Sequence, residues 1–333
     1  MVEASGFASR EAEIEKARND MAPLIALTGA TGFIGRYLLQ DLPKRGFRVR
    51  ALLRRPAGVP LDAASAVIGD IARPQNMSAA LADVDAVVHS AALAPGLLSG
   101  TPEDDYRVMN TEATVALARA AERAGAKRFV FLSSIRAQAG PSAAAVLTED
   151  APAAPESAYG RSKLAAEQGL DGLALDWVAL RPVLVYGPGV RGNMAELVKL
   201  ARSPWPLPLG ALAARRSLLA LDNLSAAVAT VLTAPGPLRR PFVVADREVL
   251  TVGEMVAALR RGFARPPGLF PVPTPLLRAG FALGGRAETF RRLAEPLVVD
   301  TSALAALGWR PEVSTPEGLE RLAAAEATIA AGG

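Results

Sequence analysis

Tyr159 and Lys163 stand four residues apart in the stretch Tyr159-Gly160-Arg161-Ser162-Lys163, and 25 residues before Tyr159 the apolar run Phe129-Val130-Phe131-Leu132-Ser133 reaches Ser134. On a helix, residues at i and i+4 share a face, so the lysine ammonium is expected beside the tyrosine phenol. A positive charge there favours the phenolate and draws the phenol pKa down from about 10 toward the operating range. Such a tyrosine can exchange a proton with a hydroxyl or a ketone oxygen. The same two residue types also occur as an ordinary surface helix pair, and Ser133 can serve as a strand-end hydrogen bond, so the elements around them decide between the readings.

Few other groups in the chain can move protons. It has no cysteine and a single histidine, His89, among 333 residues. Disulfides, thiolate metal sites and cysteine nucleophiles are therefore excluded, and no metal site is expected. The 37 basic and 33 acidic residues nearly balance, to a formal charge of +4, and the basic ones are scattered rather than gathered in runs. Nucleic acid is not an expected partner. No run of 18 apolar residues is free of charge and proline, so membrane insertion is not expected. Residues 1–20 hold Glu3, Glu11, Glu13, Glu15 and Asp20 with no apolar run, unlike a secretory leader. They read as a charged N-terminal extension, with Met21 as an alternative start, and the expected location is cytoplasmic.

Half of the residues are hydrophobic, enough for a substantial core. From Leu24 the pattern alternates: a strand over 24–28, a glycine turn, a helix near 33–45, and a strand over 47–53. A helix near 75–82, the apolar run Ala86 to His89, a long helix near 105–124 and a strand from Arg128 to Ser133 follow. Strands alternating with helices of this length predict an α/β fold, a Rossmann-like doubly wound parallel sheet. The spacing of Tyr159, Lys163, Ala166 and Glu167 predicts a helix over 159–170, and a strand over 177–185 follows it. After Gly187 the prolines multiply and helical stretches come near 222–233, 251–262 and 316–331. The expected division is a dinucleotide-binding domain over 21–186 and a smaller C-terminal, mainly substrate-binding domain over 187–333, laid over the carboxyl ends of the strands.

Between the first strand and its helix lies Thr28-Gly29-Ala30-Thr31-Gly32-Phe33-Ile34-Gly35. Glycines at these spacings permit a tight turn and close backbone approach to a pyrophosphate at the positive end of the following helix. The G-x-x-G-x-x-G spacing with its neighbours TGATGFIGRYL resembles the extended branch of the short-chain dehydrogenase/reductases. Arg181-Pro182-Val183-Leu184-Val185-Tyr186-Gly187-Pro188-Gly189 and Leu307-Gly308-Trp309-Arg310-Pro311 resemble its NAD(P)-dependent nucleotide-sugar epimerase/dehydratase members, especially UDP-sugar 4-epimerases and 4-ketoreductases.

The resemblance implies a catalytic set of Ser134, Tyr159 and Lys163, with Ser134 holding the reacting oxygen and Lys163 also holding the nicotinamide ribose. Gly29, Thr31, Gly32, Phe33, Ile34 and Gly35 become the phosphate turn. Asp70 and Ile71, within Val67-Ile68-Gly69-Asp70-Ile71, become adenine contacts, and Ala91 and Ala92, after Val87-Val88-His89-Ser90, lie beside the cofactor together with Pro182. His89 would support structure. Asn110 matches an asparagine common in the family and fits a helix N-cap equally well. The second strand ends Ala51-Leu52-Leu53-Arg54-Arg55, where NAD-preferring members usually carry an acid; Arg54 would attract a 2′-phosphate, so NADP is slightly preferred over NAD. Asn193 and Arg216 fall where members contact the nucleotide diphosphate.

Two departures bear on the reaction. Leu184 stands where nucleotide-sugar epimerases commonly carry Asn, and Ile135-Arg136 replaces the Asp-Glu pair of the dehydratases. The expected activity is hydride transfer at C4 of a nucleotide sugar, as epimerase or as 4-ketoreductase, in a homodimer. The alternatives are a reductase of steroid-like or other small carbonyl compounds and a non-catalytic cofactor-binding scaffold.

Overall fold

The computed structural model describes residues 21–58, 64–94, 101–285 and 287–331. The charged extension over residues 1–20 lies outside the described residues. Seven parallel strands form the principal sheet: β1 (Leu24–Thr28), β2 (Arg48–Leu53), β3 (Ala64–Val67), β4 (Ala86–His89), β5 (Arg128–Leu132), β6 (Asp176–Pro182) and β10 (Arg240–Val244), in the order β10-β6-β5-β4-β1-β2-β3. The strand order reverses between β1 and β4. Ligand crevices of doubly wound sheets open at that reversal, outside the carboxyl ends of the strands.

The central strands are apolar on both faces because helices cover both. Ile25 and Leu27 of β1, Val130 and Leu132 of β5, and Val178 and Leu180 of β6 pack into one core, with Leu38 and Leu39 of helix α1 (Phe33–Asp41). The alternate residues Leu24, Ala26, Phe129, Phe131, Trp177 and Ala179 pack into the other. That second core also takes Leu117 and Ala118 of α2 (Ala113–Arg123) and Ala166 and Leu170 of α3 (Ala158–Asp171). Helix α3 begins where it does because Ser157 caps it, its hydroxyl accepting from the Gly160 amide at 3.1 Å. Its inward face buries Gly160, Lys163, Glu167 and Leu170, and brings Lys163 and Glu167 against the ends of β5 and β6.

The predicted helix over 105–124 is interrupted. It runs as a short α-turn at Glu103–Tyr106, a π-turn at Arg107–Glu112 and then α2. The wider turn swings Asn110 into the interior, where it is fully buried.

A third core belongs to the C-terminal half. It joins α4 (Asn193–Arg202), α6 (Val252–Gly262) and α7 (Thr315–Ala331) through Met194, Leu197, Val198, Met255, Val256, Leu319 and Leu322. Two small sheets support it: β7 (Leu184–Tyr186) with β9 (Leu218–Ala220), and β8 (Arg215–Arg216) with β11 (Leu250–Thr251). The chain re-enters the principal layer between these pieces, through α5 (Leu221–Thr233), whose Leu224 and Val228 lie in the first core, and through β10, which pairs with β6. Among the described residues no helix is long and apolar enough to cross a membrane.

Candidate active site

At the end of β1 the backbone turns through Gly29, at φ +70°, and Gly32 returns its amide to the Gly29 carbonyl at 2.8 Å. A Cβ on Gly29 would lie 2.7 Å from the Ala91 amide, so the turn nests against the end of β4. Gly32 is the N-cap of α1 and no side-chain cap bond is made there. The first amides of that helix are thus left for an anion, at the positive end of the helix dipole. These residues fit the pyrophosphate of a dinucleotide: the helix amides are uncapped, and a Cβ on Gly29 or Gly35 would collide with the backbone of the turn or of the end of β4 and open it out.

Beside this turn, three consecutive residues at the end of β5 engage three residues of α3 spaced by four. The Lys163 ammonium donates to the Leu132 carbonyl at 2.7 Å. The Ser133 hydroxyl donates to the Glu167 carboxylate. The Ser134 hydroxyl faces the Tyr159 phenol and draws its pKa down, favouring the phenolate. Strand and helix are therefore in fixed register, and Ser134, Tyr159 and Lys163 stand together at the end of β5. Glu167 and Ser133 were not among the expected site residues, although Tyr159, Lys163 and Glu167 share one face of a helix and the i, i+4, i+8 spacing carries that signal.

The protonation states differ from the expectation. The Lys163 ammonium lies 4.4 Å from the centre of the Phe131 ring and 5.9 Å from that of Tyr159. Burial pulls its pKa down to about 7, while Glu167 pushes it up. Burial raises the Tyr159 phenol to about 12, with the Ser134 hydrogen bond and the Arg136 charge pulling it back. Tyr106 stands edge-on to Tyr159 at 6.2 Å. The expected lowering of the phenol by Lys163 is thus absent, because the ammonium is turned to the Leu132 carbonyl and Arg136 supplies the nearby positive charge.

Asn110 is not a helix cap. Its amide clamps Leu93, accepting from the backbone N–H at 2.8 Å and donating to the carbonyl at 3.0 Å, and it also donates to the Ser162 hydroxyl at 3.1 Å. His89 is completely buried, and burial holds its imidazole at about 3. The Thr114 hydroxyl donates to the Asn110 carbonyl at 2.7 Å, so it accepts from His89 Nε2–H at 3.0 Å. His89 Nδ1 then accepts from the Thr28 hydroxyl at 2.6 Å, and that hydroxyl accepts from the Ala91 amide at 3.2 Å. This chain fixes one neutral tautomer and ties the phosphate turn to the ends of β4 and the π-turn.

Toward the far end of the turn, Arg54 and Asp70 face one another at 3.9 Å, both exposed. The Ala72 amide donates to the Asp70 carboxylate at 3.0 Å, and Ile71 packs on the second core. Thr31 is exposed and Phe33 and Ile34 are half-buried at the start of α1, while Ala92 lies half-buried after β4 and Pro182 is buried at the end of β6. Asn193 is exposed in the first turn of α4. The Arg216 guanidinium donates to the carbonyls of Glu295 at 2.6 Å and Pro141 at 2.9 Å. Burial, and after it the charge of Arg136, lowers its pKa. The charges of Arg136 and Arg216 therefore act on one another, an arrangement that attracts an anion.

The NAD dependent epimerase/dehydratase family matches residues 25–245. A UDP-glucose 4-epimerase of Vibrio cholerae is 34% identical over 315 residues, 92% of this chain and 96% of that protein. The ceramide reductase of Caulobacter vibrioides is 26% identical over 89% of this chain and 81% of its own length. Among solved structures, MoeE5 in complex with UDP-glucose and NAD superposes with a TM-score of 0.70 at 26% identity, covering 92% of this chain and 99% of that one. The match spans the glycine turn, the strand-order reversal and the helix of Tyr159 alike, and the chain belongs to the NAD-dependent epimerase/dehydratase family of extended short-chain dehydrogenase/reductases.

Proposed function

We propose that this enzyme moves hydride between C4 of a UDP-linked hexose and a nicotinamide cofactor, with Tyr159 as acid and base. The observation that carries the reading is the convergence of Ser134, Tyr159 and Lys163 at the end of β5, beside the open N-terminus of α1. Gly29, Gly32 and Gly35 would receive the pyrophosphate, Arg54, Asp70 and Ile71 the adenosine end, and Ala91, Ala92, Lys163 and Pro182 the nicotinamide riboside. When bound, the nicotinamide supplies a hydride acceptor and donor. Ser134 and Tyr159 hold the reacting oxygen of the sugar between two hydroxyls. In its phenolate form Tyr159 takes the proton of the C4 hydroxyl as the C4–H bond is broken, and as the phenol it returns that proton to the 4-keto oxygen when a C4–H bond forms.

A phenol held near 12 is protonated at neutral pH and so is set to donate to a ketone. The nearby charge of Arg136 makes its deprotonation easier in the opposite direction. If the keto sugar turns over before it is reduced, the enzyme is a 4-epimerase and its cofactor is regenerated. If the keto sugar comes from another enzyme and leaves reduced, it is a 4-ketoreductase. Arg54, exposed at the end of β2 where an acid would repel a 2′-phosphate, favours NADP over NAD, and a homodimer is the proposed assembly.

A second reading is reduction of a lipid-like or other small carbonyl compound. Leu184 favours it, being 42% exposed where nucleotide-sugar epimerases commonly carry Asn, as does the similarity to a ceramide reductase. Titrating the purified protein with NADH, NADPH and UDP-hexoses separates the two. Binding of nicotinamide and of UDP-hexose supports the first reading; nicotinamide binding with no affinity for any uridine nucleotide supports the second.

A further inference from the structure

Beneath the reacting pair lies a charged cluster that proton transfer does not itself require. Arg181 of β6 grips Glu167 with two nitrogens, Nε at 3.1 Å from both carboxylate oxygens and a terminal nitrogen at 2.6 Å. The Ser133 hydroxyl donates to the same carboxylate. The side chains of Glu167 and Arg181 are 5% and 6% exposed, and Lys163 is 1% exposed. Two cations and one anion are thus enclosed together, and burial of such a group without a matched geometry is costly.

We propose that Glu167, clamped between Ser133 and Arg181, is a positioning residue that keeps Lys163 charged and seated against the end of β5. The geometry supplies the reason. Lys163 and Glu167 are successive members of one helical face, and their partners Leu132 and Ser133 are successive residues at the end of β5. The bond from Ser133 to Glu167 therefore locks the same strand–helix register that gives Lys163 its carbonyl and Tyr159 its Ser134. The groups facing Lys163 are Tyr159 and Glu167 on its own helix, neutral His89 on β4, and Leu132 with the Phe131 ring on β5. Arg181 on β6 reaches it through Glu167, while Arg136 and Tyr106 act on Tyr159. Among these, Glu167 is the group that raises the ammonium's affinity for its proton. An arginine does not give up its proton, so removal of the Glu167 charge would leave Lys163 as the group that must.

Two substitutions are expected to move Lys163 in opposite directions. In Glu167→Gln it faces Arg181 with no counter-charge, and its titration falls by about one pH unit or more. In Arg181→Met the carboxylate keeps only its Ser133 bond, its charge acts on Lys163 without the opposing guanidinium, and the titration rises. The chain has five lysines, Lys16, Lys44, Lys127, Lys163 and Lys199, so a full-length protein labelled with carbon-13 at lysine Cε resolves the titration by NMR. Near-UV circular dichroism identifies the folded variants, and if Glu167→Gln does not fold, the rise in Arg181→Met reads the same coupling. Shifts of opposite sign support the proposal; a Lys163 titration that stays in place, or moves the same way in both, overturns it. The proposal rests on Lys163 acting with Tyr159, and the high-pH limb of kcat/KM tests that separately: it should follow the NMR shift. If the NMR shifts appear and the limb stays still, the charge coupling stands and the catalytic assignment of Lys163 falls.

Discussion

The α-carbon of Gly35 faces the Gly29 carbonyl so closely that a Cβ on Gly35 would lie 2.1 Å from that oxygen. The two glycines are the turn: one bends out of β1 with a positive φ, and the other lets the first turn of α1 close over it. Gly35→Ala must push the helix off the turn, and overpacking of this kind costs about 1–3 kcal/mol. The expected result is a folded protein whose nicotinamide binding, followed by NADH fluorescence, is weaker by roughly ten- to a hundredfold. Unaltered binding would mean that the turn does not receive the pyrophosphate.

Tyr159→Phe keeps the ring against Tyr106 and removes only the phenol oxygen. Turnover should fall by about a hundredfold to ten-thousandfold, the range for loss of a positioned acid/base group, with nicotinamide affinity nearly unchanged. Single-turnover measurements beside an equilibrium titration separate the two effects. Full activity in this variant would remove Tyr159 from the mechanism.

Arg136 follows Ser134 by two residues, and its charge draws the Tyr159 phenol down against burial. Arg136→Leu should therefore raise the phenol pKa, moving the limb of the pH–rate profile that reports phenolate formation to higher pH in the alcohol-oxidising direction. A limb that stays in place would assign Arg136 to substrate binding alone.

His89 carries a stability prediction whose sign follows from its depressed pKa. The folded protein holds the imidazole neutral down to about 3, whereas the unfolded chain protonates it near 6.5. As pH falls below 6.5 the unfolded state binds the extra proton, so stability declines with acidification. At about pH 4.5 the loss reaches roughly 2–3 kcal/mol. Asp246, raised to about 6 by burial, works the other way, its contribution being present at low pH and lost as pH rises through 6. The comparison that isolates His89 is therefore the acid-induced drop in Tm of the wild-type protein against that of His89→Gln, which should be smaller. Equal drops would contradict the neutral, fully enclosed imidazole.

The alternation of apolar strands with helices, and a glycine turn between the first strand and its helix, made the parallel sheet and the site at its edge legible from residue types. Tyr159 and Lys163 were legible because a helix face needs only spacing. The π-turn at Arg107–Glu112 was not, since slipping one backbone hydrogen bond calls for no special residue, and Asn110 read equally well as a cap. Nor was the direction of the Lys163 ammonium: spacing puts it on Tyr159's face, but the Leu132 carbonyl, a backbone group silent in the sequence, turns it toward β5. The return of Arg240–Val244 to the sheet was hidden because its partner β6 lies across a long excursion through the C-terminal half. Arg216 was expected as a phosphate contact, and here its guanidinium meets two backbone carbonyls of converging loops, at Pro141 and Glu295, which no side-chain pattern announces.

The most direct test of hydride transfer at C4 is to give the protein a UDP-hexose deuterated at C4, with nicotinamide cofactor, and follow the label. The expected result is deuterium kept at C4 of the interconverted hexose, or carried onto the nicotinamide ring when the keto sugar is released, with none lost to water. Deuterium appearing in solvent, or a labelled hexose returned unchanged under conditions where both cofactor and UDP-hexose are bound, would contradict it.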